Sequence, residues 1–456
     1  GLSLFTAAAL LTACAASQAA APAASESTAD EAVTFMAPYL NVEAFIDKVH
    51  SIYPEVNIEI VPYSGDNTTS CIQNMIEAHD LPDICTVTVY NPMTDDMSDQ
   101  FIDLAGYDFT DNYIESRLQE VTDNGAIYLL PSVYNCYGIT YNKTLLQQNG
   151  WTVPTSFAEL EQLAEKAEAV GVALCLPQSQ YPGYGFQYMC NIADAGFLGT
   201  LDGKRWQKDY LSGKANVSGT PGMMQAMAYI QKWRDIGMLN GDGDPTSDEV
   251  TRQRMINGDA LFLLGSTNGI VEADGTRDKF GLMPYLSEDG SQNVFVLSVN
   301  RYFGLNKRLE QNPQQLEDAL KVMRVLSTVE GTTALYPETK VKSSLMPFKN
   351  AKANDTYYTD IADALNFGST APFIYSGWEN TIVTTGNKML DFMRGDATID
   401  EVIAQLDADQ DKVVNNTPDL ITTAAEDIPQ EDCARLVGRC FAEATGSDLA
   451  LVSLGT

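Results

Sequence analysis

The stretch Ile127–Asn142 constrains the fold more than any other part of the sequence. It contains two short runs rich in β-branched, aliphatic and aromatic residues, Ile127–Leu130 and Tyr137–Tyr141, with Pro131 between them. Such residues favour extended backbone, whereas proline cannot donate a hydrogen bond in a central strand, so the chain must bend. The stretch therefore predicts two short strands separated by a bend, and a capped helix follows from Ser156.

Residues 33–61 have the pattern of a strand, a helix and a second strand. Val33–Met36 is apolar, Asn41 can cap a helix with apolar residues at helical spacing, and Val56–Val61 alternates. A βαβ unit of this kind has parallel strands and a right-handed crossover. Ligands of open α/β sheets bind beyond the carboxyl ends of the strands, which nominates four ligand contacts: Tyr39, Tyr63, Asp66 and Tyr90.

Length and charge narrow the class of protein. A chain of 456 residues is too long for one ordinary hydrophobic core and predicts two or three domains. Lys and Arg number 28 and Asp and Glu number 61, so the formal net charge is −33. This charge repels phosphate backbones and anionic membrane surfaces, which argues against nucleic acid as a partner.

The sequence around the bend resembles the family 1 extracellular solute-binding proteins of ATP-driven bacterial importers. The signature runs from an aromatic-x-Leu-Pro segment to an Asn-Gly-x-x-x-Pro-x-Thr segment, and the chain matches it at Tyr128, Leu130, Pro131, Tyr134, Asn135, Gly138, Tyr141, Asn142, Asn149, Gly150, Pro154 and Thr155. The resemblance implies an α/β fold of the Venus flytrap type. Each of its two lobes is a mostly parallel sheet flanked by helices, and a hinge joins the lobes.

The resemblance also divides the chain, with crossings between the lobes expected near residues 137, 265 and 302. The expected parts are a lipoprotein signal peptide (1–14), a flexible tether (15–32), a first lobe (33–137 and 265–302), a second lobe (138–264 and 303–415) and a C-terminal segment (416–456). The C-terminal segment, with a predicted helix Pro429–Thr445 and strand Leu449–Leu454, resembles the opening of a 5′-nucleotidase C-terminal domain.

The N-terminus resembles that of an exported lipoprotein. Leu2–Leu11 is apolar, too short to span a bilayer, and typical of the hydrophobic region of a signal peptide. The run Leu11-Thr12-Ala13-Cys14 resembles a bacterial lipobox, which makes Cys14 the expected lipidation site. The protein is therefore expected outside the cytoplasm, anchored by lipid to the bacterial cell membrane.

The 21 Tyr and 4 Trp of the chain suit a polar and aromatic cleft for carbohydrate. Sugar rings have an apolar CH face that packs on aromatic rings, and their hydroxyls need hydrogen-bond donors and acceptors. Predicted strand ends, loops and crossings add seven expected ligand contacts to the four above: Asn135, Tyr184, Ser266, Asn300, Tyr302, Trp378 and Glu379. Packing in the core or on the surface is the competing interpretation for each aromatic.

Two of these predictions are specific. Trp378, beside Gly377, is expected to offer its ring face to a sugar, while Glu379 accepts hydrogen bonds from hydroxyls. The stretch Tyr181–Tyr188, which contains two glycines, is interpreted as an open aromatic loop facing the carbohydrate.

The sequence lacks the patterns of common catalytic sites. It has two histidines, His50 and His79, and neither a Walker phosphate loop nor a G-x-S-x-G elbow, so no metal, cofactor or enzymatic activity is predicted. The seven cysteines after Cys14 match no zinc spacing and are interpreted as buried free thiols.

We therefore predict a monomeric binding protein that captures an oligosaccharide between two lobes and delivers it to the permease of an ABC importer. One alternative is a binding protein for another polar solute, such as a peptide or nucleoside. The other is a secreted glycan-cleaving enzyme, because carboxylate pairs arise easily in so acidic a chain.

Overall fold

The computed structural model describes residues 32–39, 41–62, 68–92, 95–240, 244–265, 277–336, 345–352, 361, 364–365, 370–374 and 378–416. Side chains are described throughout these ranges except at residues 68–70, 277, 379–380 and 411–416. Cys14, residues 15–31 of the expected tether and the C-terminal segment from residue 417 lie outside the described residues.

The first lobe is built on a five-stranded sheet with the order β2-β1-β3-β11-β4. Its strands are β1 (Val33–Phe35), β2 (Ile58–Ile60), β3 (Ile84–Val87), β4 (Leu130–Pro131) and β11 (Tyr302–Leu305). Strand β1 pairs in parallel with β2 and β3, which confirms the predicted βαβ unit, and β11 is antiparallel to β3 and β4.

Five helices pack around this sheet: α1 (Glu43–His50), α2 (Thr68–Glu77), α3 (Glu115–Gln119), α10 (Pro313–Leu326) and α11 (Val329–Leu335). The buried carboxylate of Asp83, directly before β3, joins β1 to α10. It accepts hydrogen bonds from Thr34 N and Oγ1 on β1 (2.9 and 2.8 Å), from Gln315 Nε2 on α10 (3.0 Å), and from Arg308 Nη2 (3.1 Å). Burial acts to raise the pKa of Asp83, but these donors outweigh it and hold the pKa below its ordinary value.

The second lobe has a four-stranded mixed sheet with the order β7-β8-β6-β9. Its strands are β6 (Ile139–Asn142), β7 (Ala173–Pro177), β8 (Ala260–Leu264) and β9 (Phe280–Met283). Only β7 and β8 pair in parallel among these described strands, while β6 is antiparallel to β8 and β9. Both described sheets are therefore mixed, with parallel pairing among β2, β1 and β3 in the first lobe and between β7 and β8 in the second.

Helices surround the second sheet and bury its largest hydrophobic cluster. They are α4 (Lys143–Asn149), α5 (Phe157–Ala169), α6 (Pro182–Ala193), α7 (Leu201–Leu211), α8 (Pro221–Asp235), α9 (Asp248–Asn257), α12 (Glu379–Arg394) and α13 (Ile399–Asn416). The predicted cap of α5 is confirmed, since Ser156 Oγ accepts a hydrogen bond from Glu159 N.

Three strands connect the lobes and form a small sheet of their own with the order β12-β10-β5. Strand β5 (Tyr134–Tyr137) leads from β4 to β6, β10 (Phe295–Val299) leads from β9 back to β11, and β12 (Thr370–Pro372) precedes the return to the second lobe. Strand β5 lies where a crossing is expected, near residue 137. Two α/β lobes joined by crossing strands confirm the predicted fold class.

The expected lobe boundaries after residue 264 are wrong. The chain does not leave the second lobe near residue 265, because β9 pairs with β6 and Tyr285 bridges to Val294 before the chain crosses at β10. Residues 303–415, which were expected to complete the second lobe, are divided between the two lobes. Strand β11 and helices α10 and α11 belong to the first lobe, whereas α12 and α13 belong to the second.

Two local predictions are also wrong. Val42 rather than Asn41 is the N-cap of α1, and no side chain caps it. The stretch Tyr181–Tyr188 is not an open loop but the start of α6, with Pro182 in the first turn. Gly185 does not signal a loop, because a Cβ there would lie 2.5 Å from the Gly386 carbonyl oxygen of α12.

The described cysteines are all buried. Cys85, Cys136, Cys175 and Cys190 are buried free thiols, as predicted, and Cys71 is buried as well. Among the described helices, none has the length and apolar character needed to cross a membrane.

Candidate functional site

A cavity of about 470 Å³ lies between the lobes, against the crossing strands. Its volume is typical of small-molecule sites. The first lobe contributes residues 88–92, which directly follow β3, together with Ser116, residues 119–122 and Tyr302. The crossing strands contribute residues 297–299, Thr370 and Pro372, and the second lobe contributes Asp194, Leu198, Lys204, Gln207, Phe373, Ile374 and Trp378.

Three buried polar atoms in the cavity wall have no hydrogen-bond partner: Tyr90 Oη, Asp194 Oδ2 and Trp378 Nε1. The three residues are only 6%, 5% and 3% exposed, respectively. Buried polar groups are nearly always hydrogen-bonded, and leaving one unpaired costs about 1–3 kcal/mol. A phenol hydroxyl, a carboxyl oxygen and an indole N–H are therefore left unsatisfied on three residues that line one cavity.

Aromatic rings hold two of these groups in place. Tyr90 packs edge-on against Tyr302, with ring centroids 5.7 Å apart. Burial raises the pKa of both hydroxyls, which keeps them protonated at neutral pH and able to donate hydrogen bonds.

Trp378 is held by the aromatic core of the second lobe. It stacks on Tyr210 with centroids 4.8 Å apart and planes 8° from parallel, and Phe186 and Trp206 lie beside it. The expectation of an unobstructed ring face is therefore wrong. Trp378 does line the cavity, and the group it leaves unpaired there is its indole N–H.

A buried ion pair joins the cavity wall to the crossing strands. Arg117 Nη1 donates to Glu120 Oε1 and to Thr370 Oγ1, both at 2.9 Å, and Nη2 donates to the Leu365 carbonyl oxygen at 2.8 Å. Its guanidinium also lies 5.3 Å from the ring centroid of Tyr134 on β5. Burial raises the pKa of Glu120, and Arg117 opposes that rise.

Asp194 occupies the point where α6 passes into a π-helical turn, Asp194–Leu198. Burial raises the pKa of its carboxyl well above the ordinary value, and the positive charge of Lys204 only partly opposes this. π-Helical turns inside helices occur often at functional sites. The turn places Asp194 and Leu198 together in the cavity wall.

The structure brings three of the predicted contacts into this cavity, Tyr90, Tyr302 and Trp378. The others with described side chains have different surroundings. Tyr39 packs edge-on against Tyr336, and the Tyr184 hydroxyl donates to Asp248 Oδ2 at 2.7 Å.

Two predicted contacts lie on or beside the crossing strands. Asn135 pairs on β5 with Ser298, which lines the cavity. Asn300 N donates to the Val133 carbonyl oxygen at 2.7 Å, and its Oδ1 has no partner. Tyr63, Asp66 and Ser266 lie outside the described residues, as does the side chain of Glu379, whose backbone begins α12.

The sequence analysis missed Glu120, Asp194, Lys204 and Gln207. Asp194 carried one usable signal, since it is the charged residue in the otherwise apolar run Ile192–Leu198. Glu120 and Lys204 carried none, because charged residues at such positions are usually solvated. Within the described residues, no group of three or more His, Cys, Asp or Glu side chains could hold a metal ion.

Comparisons with known proteins agree with this architecture. The family described as "Bacterial extracellular solute-binding protein" matches residues 42–357 of the chain. The maltodextrin-binding protein MdxE of Bacillus subtilis is 26% identical over 185 residues, which is 38% of this chain and 40% of that protein. This match therefore spans less than half of the curated relative.

Solved structures are similar over most of the chain. A family 1 extracellular solute-binding protein from Bifidobacterium longum subsp. infantis has a TM-score of 0.69 at 15% identity, covering 84% of this chain and 99% of that one. The apo form of RafE from Streptococcus pneumoniae has a TM-score of 0.66 at 16% identity, covering 84% and 98%. The sugar-binding protein MalE from Xanthomonas citri has a TM-score of 0.64 at 16% identity, with the same coverage.

Proposed function

Because the chain belongs to the bacterial extracellular solute-binding proteins, we propose that it captures an oligosaccharide in the cavity between its lobes and delivers it to an ABC importer. The observation that carries this proposal is the set of three unpartnered buried polar atoms, on Tyr90, Asp194 and Trp378, in one aromatic cavity. A sugar hydroxyl both donates and accepts, so neighbouring hydroxyls can satisfy all three atoms.

The rest of the cavity supports a carbohydrate. Aromatic and aliphatic side chains, including Tyr302, Phe373 and Val299, form its apolar wall, and amides and hydroxyls such as Gln207 and Ser298 lie among them. This mixture suits a ring with an apolar face and a polar rim. Proteins similar to this chain are described as binding maltodextrin, raffinose and chitin oligosaccharide, so these glycans are the first ligands to test.

The family that matches the chain is described by the binding of an extracellular solute and not by a reaction. A glycosidase needs one carboxylic acid and one carboxylate positioned on either side of the bond that is cleaved. Glu120 and Asp194 are the two carboxyl groups in the described cavity wall, so this family description, and not their charge, supports binding without chemical conversion. We propose that the protein is not an enzyme, and the absence of product after incubation with maltotriose, raffinose or chitotriose is the test.

Closure of the two lobes around the ligand and lipid anchoring at Cys14 complete the proposal. The ligand contacts both lobes and so favours the closed state. Small-angle scattering should therefore give a smaller radius of gyration with saturating ligand. Cys14→Ser in a full-length precursor should release the protein from the membrane fraction, and an unchanged distribution would count against the anchor.

The decisive experiment is titration calorimetry with maltotriose, raffinose, chitotriose, a tripeptide and a nucleoside. We expect a glycan to bind, and binding of only the peptide or only the nucleoside would replace the carbohydrate in this proposal. Tyr90→Phe removes one unpartnered hydroxyl and should weaken glycan binding about three- to tenfold, as expected for one neutral hydrogen bond. Tyr181→Phe is the matched control, because Tyr181 is 56% exposed and outside the cavity wall.

A further inference from the structure

Lys204 is the one basic residue in the described cavity wall. It belongs to α7 of the second lobe and is exposed, so a ligand that enters the cavity can reach it. Within the described ranges, its ammonium group has no hydrogen bond or ion pair. The cavity therefore contains an accessible cation that is not bonded to an acid of the protein.

The packing of α7 holds the backbone of Lys204 in place. Gln207 Nε2, one turn further along the helix, donates to the Leu198 carbonyl oxygen at 3.3 Å. A Cβ on Gly203 would collide with the Phe197 carbonyl oxygen, so only glycine lets α7 lie this close to the π-helical turn. The position of Lys204 at the cavity is therefore set by the fold, while its long side chain can adjust to a ligand.

The two carboxyl groups of the described wall do not balance this charge. Glu120 is bound by Arg117 Nη1 at 2.9 Å. Burial raises the pKa of Glu120 and raises that of Asp194 well above its ordinary value, and both shifts favour the uncharged acid although Lys204 opposes them. Arg117 and Lys204 carry two positive charges, so this group of four residues is positive unless both acids are ionised.

Acidic residues just outside the wall are engaged elsewhere. Asp95 Oδ2 accepts a hydrogen bond from Asn91 N at 2.7 Å. Burial raises the pKa of Asp123, and the cation that opposes this rise is Lys208. The net charge of −33 belongs to the whole chain, and salt screens its effect beyond about 8–10 Å.

Closure of the lobes makes the charge of Lys204 important. In the open cavity water solvates the ammonium group, whereas a ligand that fills the cavity displaces this water. A charge taken out of water is costly unless an opposite charge pairs with it. A carboxylate on the ligand supplies that charge, and hydrogen bonds between charged groups are about twice as strong as those between neutral groups.

We propose that the ligand is an acidic oligosaccharide and that Lys204 binds its carboxylate. A uronic or sialic acid unit supplies this group. The inference rests on the proposed function and deepens it, because it names the substrate class of the same cavity and makes Lys204 its specificity-determining residue.

The test is titration calorimetry with trigalacturonic acid, glucuronosyl xylotriose and sialyllactose, each compared with its methyl ester. The ester keeps the glycan frame and removes the negative charge. We expect at least one of these acids to bind wild type about ten- to a hundredfold more tightly than its ester, as for a hydrogen bond between charged groups.

Three variants assign this preference to Lys204. Lys204→Met should bind the acid and its ester alike, whereas Lys204→Arg keeps the charge and should keep the preference. Lys166→Met is the matched control and should match wild type, because Lys166 is exposed on α5 and lies outside the described wall. Thermal melting should be the same for all three variants and wild type, since both lysines are exposed.

Two results would overturn the inference. In the first, no acid binds wild type more tightly than its ester; in the second, Lys204→Met retains the preference of wild type. Binding of a neutral glycan such as maltotriose in either case leaves the proposed function standing. If neither acidic nor neutral glycans bind, the proposed function itself fails, and the inference fails with it.

Discussion

Arg117→Met should be among the most destabilising substitutions in the first lobe. Arg117 is only 3% exposed and makes three hydrogen bonds, to Glu120, Thr370 and Leu365. Methionine retains an unbranched apolar stem but leaves the Glu120 carboxylate buried without its cation. Removing one partner of a buried pair costs about 3–5 kcal/mol, against a total stability of about 5–15 kcal/mol for a typical domain.

The predicted loss depends on pH, and its sign follows from Glu120. Burial raises the pKa of Glu120, and without Arg117 to oppose it the pKa rises further. As the pH falls, Glu120 therefore takes up a proton at a higher pH in the folded variant than in the unfolded chain, where the pKa of Glu is about 4.3. The loss of unfolding free energy in Arg117→Met is fully present at neutral pH and shrinks as the pH falls through the raised pKa of Glu120 in the folded variant. Below the pKa of Glu120 in the unfolded chain, the part of the loss that comes from the buried charge is gone.

Urea denaturation followed by far-ultraviolet circular dichroism, at pH 7 and pH 5, measures both effects. The double variant Arg117→Met/Glu120→Gln should recover most of the lost free energy of unfolding, because no buried charge remains unpaired. Arg205→Met, which removes an exposed ion pair with Asp202, is the control and should cost at most about 1 kcal/mol. A deficit for Arg117→Met that equals that of Arg205→Met, or does not change with pH, would refute this reasoning.

Three further predictions concern other parts of the molecule. Asp83→Asn should lower the free energy of unfolding by about 1.5–3 kcal/mol at pH 7. The pKa of Asp83 is lowered in the folded state. The difference in free energy of unfolding between wild type and Asp83→Asn, measured by denaturation, should therefore persist above the unfolded pKa of about 3.9 and disappear as the pH falls through the folded pKa. Trp378→Ala should lower the free energy of unfolding by about 3–5 kcal/mol, measured by thermal melting and denaturation. Trp378→Phe should lower it less and mainly weaken glycan binding. Equal melting temperatures of Trp378→Ala and wild type would contradict the place of Trp378 in the core. Gly138→Ala, at the end of β5, would place a Cβ 2.5 Å from the Met283 carbonyl oxygen, so we expect a loss of roughly 1–3 kcal/mol in the same assay, and an unchanged midpoint would exclude this close contact.

Local patterns in the sequence predicted local structure well. The parallel pairing of β1 with β2 and the cap at Ser156 follow from alternation, helical spacing and capping chemistry, which act within a few residues. The start of α6 was missed for a physical reason. Its glycines suggested a loop, but Gly185 is there to let α6 approach Gly386 of α12, a contact between segments about 200 residues apart.

The lobe boundaries and the cavity could not be predicted as well, because both depend on distant pairings. Gly265 follows the strand β8, and a crossing to the first lobe was expected there. The pairing of β9 with β6 nevertheless keeps the chain in the second lobe. Similarly, Glu120, Asp194 and Lys204 meet only in the folded molecule. In a chain with 61 acidic residues nothing local distinguishes Glu120, and Asp194 is marked only by the apolar run around it. Of the predicted contacts, Tyr90 is in the cavity because the rule for strand ends applies directly to β3.

The position of β11 in the first sheet has a consequence for how the protein folds. This strand lies between β3 and β4, although it begins 215 residues after the end of β3 and 171 residues after the end of β4. During synthesis β3 and β4 are therefore complete long before the strand that lies between them. Until then β3, whose four residues are all buried in the final fold, has one edge without its partner strand β11. Pairings of such long sequence separation form slowly. The first lobe therefore cannot complete its sheet until residues 302–305 have been synthesised.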